Sequence, residues 1–584
     1  MASTKLTTKL EGFRKRNSNN PNYINKDIFR MFYSRDIYYI AYNNIKSNDG
    51  AETVGSDGTS LHGFSETWID TFISSMRDES YRPNPSRITY IPKSNGKMRK
   101  LSFPNGKDKI IQECVRMILD CIYEPSFSDL SHGYRPNRSI HSAVAQIETW
   151  KSSTWLIEGD ISACFDEVDH RVLESLLRER ISDERFINLI NKLLRAGYLD
   201  TDLNFNTSKF GAGQGSSCSP ILANIYLDKL DKFMEDLIIR ETIGEYRKQN
   251  PQYARLRYQM KKAKSSGNTE LIKSINKELK IIASIDLMDT SFRRVKYVRY
   301  ADDFLVGVIG DKATAKRIKQ EISYFLKISL KLRLSDDKTK ITNAKHQEAN
   351  FLGFRISKFK SFLRILMDTD KLISKLKDNG MCDEFGYPIA MTKMQNIPIQ
   401  DIIKYANQVL RGLLYGNQGC HNFYKAWRIQ YIIQYSTAKT IARKFDISMK
   451  ATFKKYGDRL TVNYQNLKGD DKQISLALFR SFKRNKDFSK NWIIKLKEHV
   501  VTTYDTRNPL AKNCYICDDS QNRKMFHRKK KSLLKTPHLH IIKEMLRINR
   551  RQICLCGTCF TQVTNNELEY NQLSLFFNNL RKLH

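Results

Sequence analysis

A chain of 584 residues, 40% hydrophobic and 28% charged, has room for three to five globular domains at roughly 100–200 residues each. Its 99 lysines and arginines against 62 acidic residues leave a formal charge of +37, an excess that points to a polyanionic partner, because neutralised phosphates release condensed counterions. No apolar run approaches the roughly 20 residues of a spanning helix, so membranes rank behind nucleic acid, and 11 cysteines in so long a chain do not make a disulfide scaffold.

Residues 1–22 are polar and basic, lack a hydrophobic signal core, and are expected to form a weak organelle-targeting segment or a disordered arm. Residues 23–45 and 68–76 carry helical spacing on either side of a Gly, Ser, Asp and Thr-rich loop at 48–63. Residues 87–103 alternate around Ser94, Asn95 and Gly96, which predicts a β-hairpin. A helix at 110–122 and a short apolar strand at 155–161 follow. Two helices are predicted over 170–195 and one over 221–239. Residues 246–280, polar and charged, form either a helical insertion or a solvated loop. Strand, turn and strand fill 295–309, a helix 313–330, and strands 332–341 and 350–357. The chain is then mainly helical from 370 to about 464, lysine-rich to about 507, and cysteine-rich beyond.

Asp302 and Asp303 lie between the two strands of 295–309. Adjacent strand residues point to opposite faces, but at a turn both carboxylates can face one site. Asp160, at the end of an apolar strand, offers a third. An Asp-Asp pair alone is more often a solvated turn. Three converging carboxylates with no histidine nearby suit a hard cation such as Mg²⁺, which takes few carboxylates and keeps water and phosphate ligands. Two such ions about 3.5–4 Å apart can activate a 3′-hydroxyl and stabilise leaving pyrophosphate. Near the other end, Cys514-x-x-Cys517 and Cys556-x-x-Cys559 have the spacing of a four-thiolate zinc site, with Cys554 a bystander or a replacement for Cys556.

From about residue 45 to about residue 575 the motifs, in order, resemble group II intron-encoded reverse transcriptase/maturase proteins. Ile91-Pro92-Lys93 with Lys97-Met98-Arg99 resembles the fingers hairpin, and Gly133-Tyr134-Arg135-Pro136 the glycine–aromatic–arginine–proline segment. Asp160 to His170 and Tyr300-Ala301-Asp302-Asp303 resemble the two palm motifs. Gly213-Gln214-Gly215 resembles the template–nucleotide loop, and Lys338-Thr339-Lys340 and Phe351-Leu352-Gly353-Phe354 the end of the palm. The resemblance implies an α+β right-hand polymerase fold with a helical thumb and a small zinc-binding ββα-type module. Its expected boundaries are an N-terminal extension and fingers at 23–155, a palm at 156–365 with the insertion at about 245–285, a helical thumb at 366–465, a basic DNA-binding linker at 466–508 and the zinc module at 509–584.

The resemblance also implies residue roles. Asp160, Asp302 and Asp303 would hold two Mg²⁺ ions. Arg99, with Lys93 or Lys97, would grip the triphosphate, Arg99 by its planar fork. Phe165 would stand where an aromatic gate crowds a ribose 2′-hydroxyl, and Gln214 and Gly215 would let backbone approach the base pair. Tyr300 and Lys338 complete the substrate site. The family usually has a proline where this chain has Gly213, which loosens the loop. Residues 411–415, 435–444 and 454–457 resemble the maturase thumb, whose basic and aromatic residues suit intron RNA.

The cysteine region resembles an HNH endonuclease in which His527 matches the base and Asn549 the middle residue. Phe526 and Phe560 stand at the metal-ligand positions, and a phenyl ring cannot ligate Mg²⁺. The expectation is therefore a structural Zn²⁺ scaffold with nuclease activity weak or absent, and with Lys529, Lys530 and Lys531 retaining affinity for target DNA.

The implied activity is RNA-directed DNA synthesis from deoxynucleoside triphosphates, coupled to intron splicing. The rivals are a splicing factor that keeps the polymerase fold only as an RNA scaffold, and a site-specific endonuclease. A composition rich in Asn, Lys, Ile and Tyr resembles AT-rich organelle coding, with the mitochondrion expected ahead of the chloroplast.

Overall fold

The computed structural model describes residues 5–48, 50–92, 96, 98–200, 204–207, 210–211, 213–282, 284–286, 289, 291–465, 470–482, 484, 508–527 and 552–565. Within them the chain is α+β, as the resemblance implies. Lys93, Lys97, Asn549 and Lys529 to Lys531 lie outside the described residues.

The centre is a four-stranded sheet in the order Arg294–Tyr300, Asp303–Ile309, Trp155–Asp160, Lys340–Asn343, every neighbour antiparallel. Both faces are covered. Leu156, Val298 and Leu305 enter one apolar core, while Ile157, Tyr297, Phe304 and Val306 enter the other. Burial on both faces explains the apolar runs of the two central strands, Leu156 with Ile157 and Phe304 to Val306. The helices Lys312–Ser329 and Ser219–Arg240 pack on this sheet.

The predicted hairpin forms from Ser86–Pro92 and Met98–Phe103, with Ile91 opposite Arg99. The charged insertion is helical. Pro251–Ser265 and Thr269–Ile281 fold against each other around Leu256, Met260, Ala263 and Ile275, a small core separate from the others. At the end of the palm, Phe354–Phe359 and Phe362–Met367 form a hairpin against the helices Ile399–Asn417 and Ala426–Phe445.

Several local expectations are corrected. Lys5–Asn19 is a helix rather than part of a disordered arm. Leu6, Leu10 and Phe13 form one narrow stripe buried toward the long helix Gly106–Tyr123, which a polar average conceals. The helix expected over 23–45 begins only at Arg35, after a short 3₁₀ turn at Phe29–Tyr33. The strand expected over 332–341 is reduced to Lys340–Asn343 and a single bridge from Leu334 to Ile161. The strand expected over 350–357 breaks into a hairpin, because Leu352 and Gly353 both turn left-handed. Residues 471–474, assigned to the linker, form a strand paired with Val462–Gln465. No helix among the described residues is long and apolar enough to cross a membrane.

Candidate active site and thiol cluster

Antiparallel pairing places Asp160 directly opposite Asp303, and Asp303 closes the next hairpin opposite Tyr300. Residues paired in this way project to the same face, so the sheet itself brings two carboxylates together. Asp302 sits on the turn, and its carbonyl accepts a hydrogen bond from Ile161 N at 3.3 Å.

Burial and the carboxylates of Asp302 and Asp160 push Asp303 up to about 7. Burial and Asp160 also raise Asp302, against the opposing charges of Lys338 and Arg99. Lys338 Nζ donates to Asp160 Oδ1 at 2.8 Å, which raises the lysine in turn. Such mutual repulsion among partly buried carboxylates is the donor environment a hard divalent cation relieves.

Behind the turn stands a buried brace. Arg299, 1% exposed, donates from Nε to Asp231 Oδ1 at 2.8 Å and from Nη2 to Asp231 Oδ2 at 2.6 Å. Its Nη1 reaches Ala301 O at 2.9 Å, inside the acidic turn, and its Nη2 reaches Ser131 Oγ at 2.8 Å. Tyr297 OH donates to Asp231 Oδ1 at 3.0 Å. Sequence reasoning missed Arg299 and Asp231. The available signal was the phase of Arg299, which falls with Val295 and Tyr297 on one face of its strand while Arg294 and Lys296 fall on the other.

The glycine-rich loop docks on the fingers hairpin. Ser102 N donates to Gln214 O at 2.6 Å, and a Cβ on Gly215 would lie 2.1 Å from Ser102 O. Gly213 has φ +56, a value proline cannot reach. Proline at this position is therefore incompatible with the loop as it stands. Arg99 lies on the exposed face of the hairpin, and its charge reaches Asp302 and Tyr134.

The chain matches the model for reverse transcriptase (RNA-dependent DNA polymerase) over residues 91–253 and that for type II intron maturase over residues 360–508. It is 34% identical to the uncharacterized 91 kDa protein in the cob intron of Schizosaccharomyces pombe, covering 98% of this chain and 74% of that one. It is 32% identical to the putative COX1/OXI3 intron 1 protein of Saccharomyces cerevisiae, covering 94% and 70%. It is 35% identical to the group II intron-encoded protein LtrA of Lactococcus lactis, covering 77% and 80%. The chain belongs to the group II intron-encoded reverse transcriptase/maturase family. It carries the reverse-transcriptase and intron-maturase roles of that family, with divalent-metal chemistry, intron RNA and nucleotide substrates.

In this group II intron protein the second constellation is the thiol cluster. The sulfurs of Cys514, Cys517, Cys556 and Cys559 all lie within 4.8 Å of one another, with Cys517 Sγ 3.6 Å from both Cys556 Sγ and Cys559 Sγ. Burial opposes ionisation of Cys514, but backbone N–H groups of Cys517, Cys556 and Ile516 outweigh it and draw the thiol down to about 7. Four converging thiols, one poised to ionise, fit a soft or borderline tetrahedral ion such as zinc. Cys554 faces the other way, into the main core with Met525, because strand neighbours alternate.

The thiol module is also stitched to the N-terminal region. Gly63 N donates to Met525 O and Met525 N to Phe64 O, both at 3.0 Å. His62 enters between Phe526 and Phe560, its ring 5.0 and 4.9 Å from theirs. Phe526 and Phe560 thus serve as a packing surface for His62. His527 lies on the strand Lys524–His527.

Proposed function

We propose that this chain binds its own intron RNA to assist splicing and then copies it into DNA at the insertion site, with Asp160, Asp302 and Asp303 as the metal-holding carboxylates. The pairing of Asp160 with Asp303, beside Asp302 and within reach of the Arg99 charge, carries the reading. Divalent ions held there supply Lewis-acid activation of the primer 3′-hydroxyl and neutralise charge on the leaving pyrophosphate.

The chain's own groups do the rest. Arg99, assisted by Lys93 or Lys97, binds the triphosphate through charge-assisted hydrogen bonds. Gln214 and Gly215 bring backbone against the nascent base pair. Phe165 crowds the 2′-hydroxyl of a ribonucleotide. Lys338 holds Asp160 in place, and Tyr300 fixes the end of the strand that delivers Asp303. The test is extension of a DNA primer on RNA template. Asp302→Ala should abolish it while intron RNA binding persists, and equal extension by both proteins would return the palm to a scaffold.

The thumb at 366–465 and the lysine-rich segment at 466–508 form the route for intron RNA and target DNA respectively. A structural Zn²⁺ on the four cysteines holds the module at 509–584, in which DNA cleavage is weak or absent because Phe526 and Phe560 offer no donors. Relatives encoded in mitochondrial introns support a mitochondrial location and an organelle-borne gene.

A further inference from the structure

The segment from Ser131 to Arg135 is held at almost every residue. Ser131 accepts from Arg299, and His132 N donates to Arg299 O at 2.9 Å. Asn224 Nδ2 donates to Gly133 O at 2.9 Å, and a Cβ on Gly133 would lie 2.2 Å from Ala301 N. Arg135, buried, bonds Glu124 and the carbonyls of Ser128 and Ser131. Between these anchors Tyr134 adopts φ +57 with its side chain 55% exposed. A left-handed tyrosine is strained, and such strain persists only where the surroundings over-determine it, which is characteristic of functional sites.

The ring held in this way has specific neighbours. It meets Phe165 edge to face, with centroids 6.1 Å apart and planes at 80°. Burial, then the charge of Asp302, holds its phenol above the ordinary value, so the group is neutral beside the carboxylates. A tyrosine that merely covered the surface would need neither the left-handed backbone nor the clamp on both sides of it.

We propose that Tyr134 is a positioning residue for sugar selection: its ring buttresses Phe165 and holds it against the 2′ position of the incoming nucleotide. This rests on the reading of Phe165 as the gate. Without the Tyr134 ring, Phe165 has an open side into which it can turn, and a 2′-hydroxyl gains the space.

The experiment compares kcat/KM for dCTP with that for CTP, for single additions to a DNA primer on RNA template by the full chain. The best truncation is Tyr134→Gly, since glycine takes the left-handed backbone without strain and the loop keeps its fold. Tyr134→Gly should reduce discrimination about fivefold, the factor that one edge-to-face ring pair represents, and Tyr134→Phe should restore it. Phe165→Val provides the control and should reduce discrimination further. If Phe165→Val relaxes selection and Tyr134→Gly does not, the buttress is refuted and the gate stands. If neither relaxes it, the gate reading fails and the buttress with it. A Tyr134→Gly protein with an unchanged melting midpoint and an unchanged ratio would likewise overturn the proposal.

Discussion

Asp160 and Asp303 face each other across adjacent antiparallel strands, so their carboxyls project to one face of the sheet. The geometry that assembles the metal-holding group also concentrates charge. Two like charges so placed disfavour joint ionisation, and the repulsion falls on Asp303, which is pushed up to about 7 by burial and by both neighbours.

Relieving that repulsion should stabilise the metal-free protein at the expense of activity. A carboxyl raised in the fold favours the folded state while protonated. That contribution is present below the unfolded value near 4 and is lost as pH rises through about 7. Asp303→Asn is therefore expected to raise stability by about 1 kcal/mol or more at pH 8 in EDTA, with the gain vanishing near pH 4. Urea midpoints at the two pH values check this, and the same variant should lose primer extension.

Restoring the family's proline should impair this chain. Gly213 has φ +56, and Ser219 Oγ donates to its carbonyl at 2.9 Å. Proline, confined near φ −65°, would force the loop off Ser102. Gly213→Pro is expected to lower primer extension about tenfold or more, whereas Gly213→Asn, which tolerates a left-handed backbone, should lose little. Extension assays on the two variants decide it.

His132 gives the fold a definite acid sensitivity. Burial, only partly offset by its hydrogen bond to Gln146, holds the ring down to about 3, so it is neutral in the fold. The unfolded chain takes up a proton below 6.5, and the fold does not. Stability present above 6.5 is therefore lost as pH falls toward 3, by about 2 kcal/mol at pH 5 from this residue. His132→Gln should flatten the urea midpoint between pH 4.5 and 6.5 by about that amount.

Features set by neighbours in the chain were legible beforehand, and those set by distant partners were not. The hairpin at 87–103 and the strand–turn–strand around Asp302 carry their own alternation and turn residues. The cysteine pairs carry the spacing of a chelate. The Lys5–Asn19 helix is polar on average, and only its docking on Gly106–Tyr123 reveals its stripe. Arg299 reads as a surface charge until Asp231, 68 residues away, is placed beside it. Tyr134 is one tyrosine among 28 until the clamps on either side expose its strain.

Removing zinc should detach one region without unfolding the rest. The thiol module meets the N-terminal region through two backbone hydrogen bonds, the His62–Phe526–Phe560 contact, the Arg523–Glu66 ion pair and the hydrogen bonds of Gln552 with Tyr42 and Lys46. Met525 and Cys554 enter the main core, whereas the second core, on the other face of the central sheet, is built without the module. Cys517→Ser, or a zinc-selective chelator in excess Mg²⁺, is expected to eliminate bound zinc and open protease sites beyond residue 508 while primer extension persists. Metal analysis with limited proteolysis checks both halves. Since Phe526 and Phe560 supply no donors, the zinc-loaded protein should show no DNA nicking that depends on His527.

The brace behind the acidic turn predicts an asymmetry that separates support from simple attraction. Asp231 is wholly buried, with Arg299 on both oxygens and Tyr297 on one. Arg299→Met leaves that carboxylate buried beside only a phenol, a loss expected to cost about 3–5 kcal/mol. It also removes the donor to Ala301 O, so the turn carrying Asp302 relaxes. Adding Asp231→Leu removes the stranded charge and should recover much of the stability, because a buried ion pair is often no stronger than an apolar pair of similar volume. Activity should not return, since neither new side chain can hold the Ala301 carbonyl. Urea unfolding and primer extension on the single and double variants distinguish the outcomes. Recovery of both together would mean that the pair only fills space.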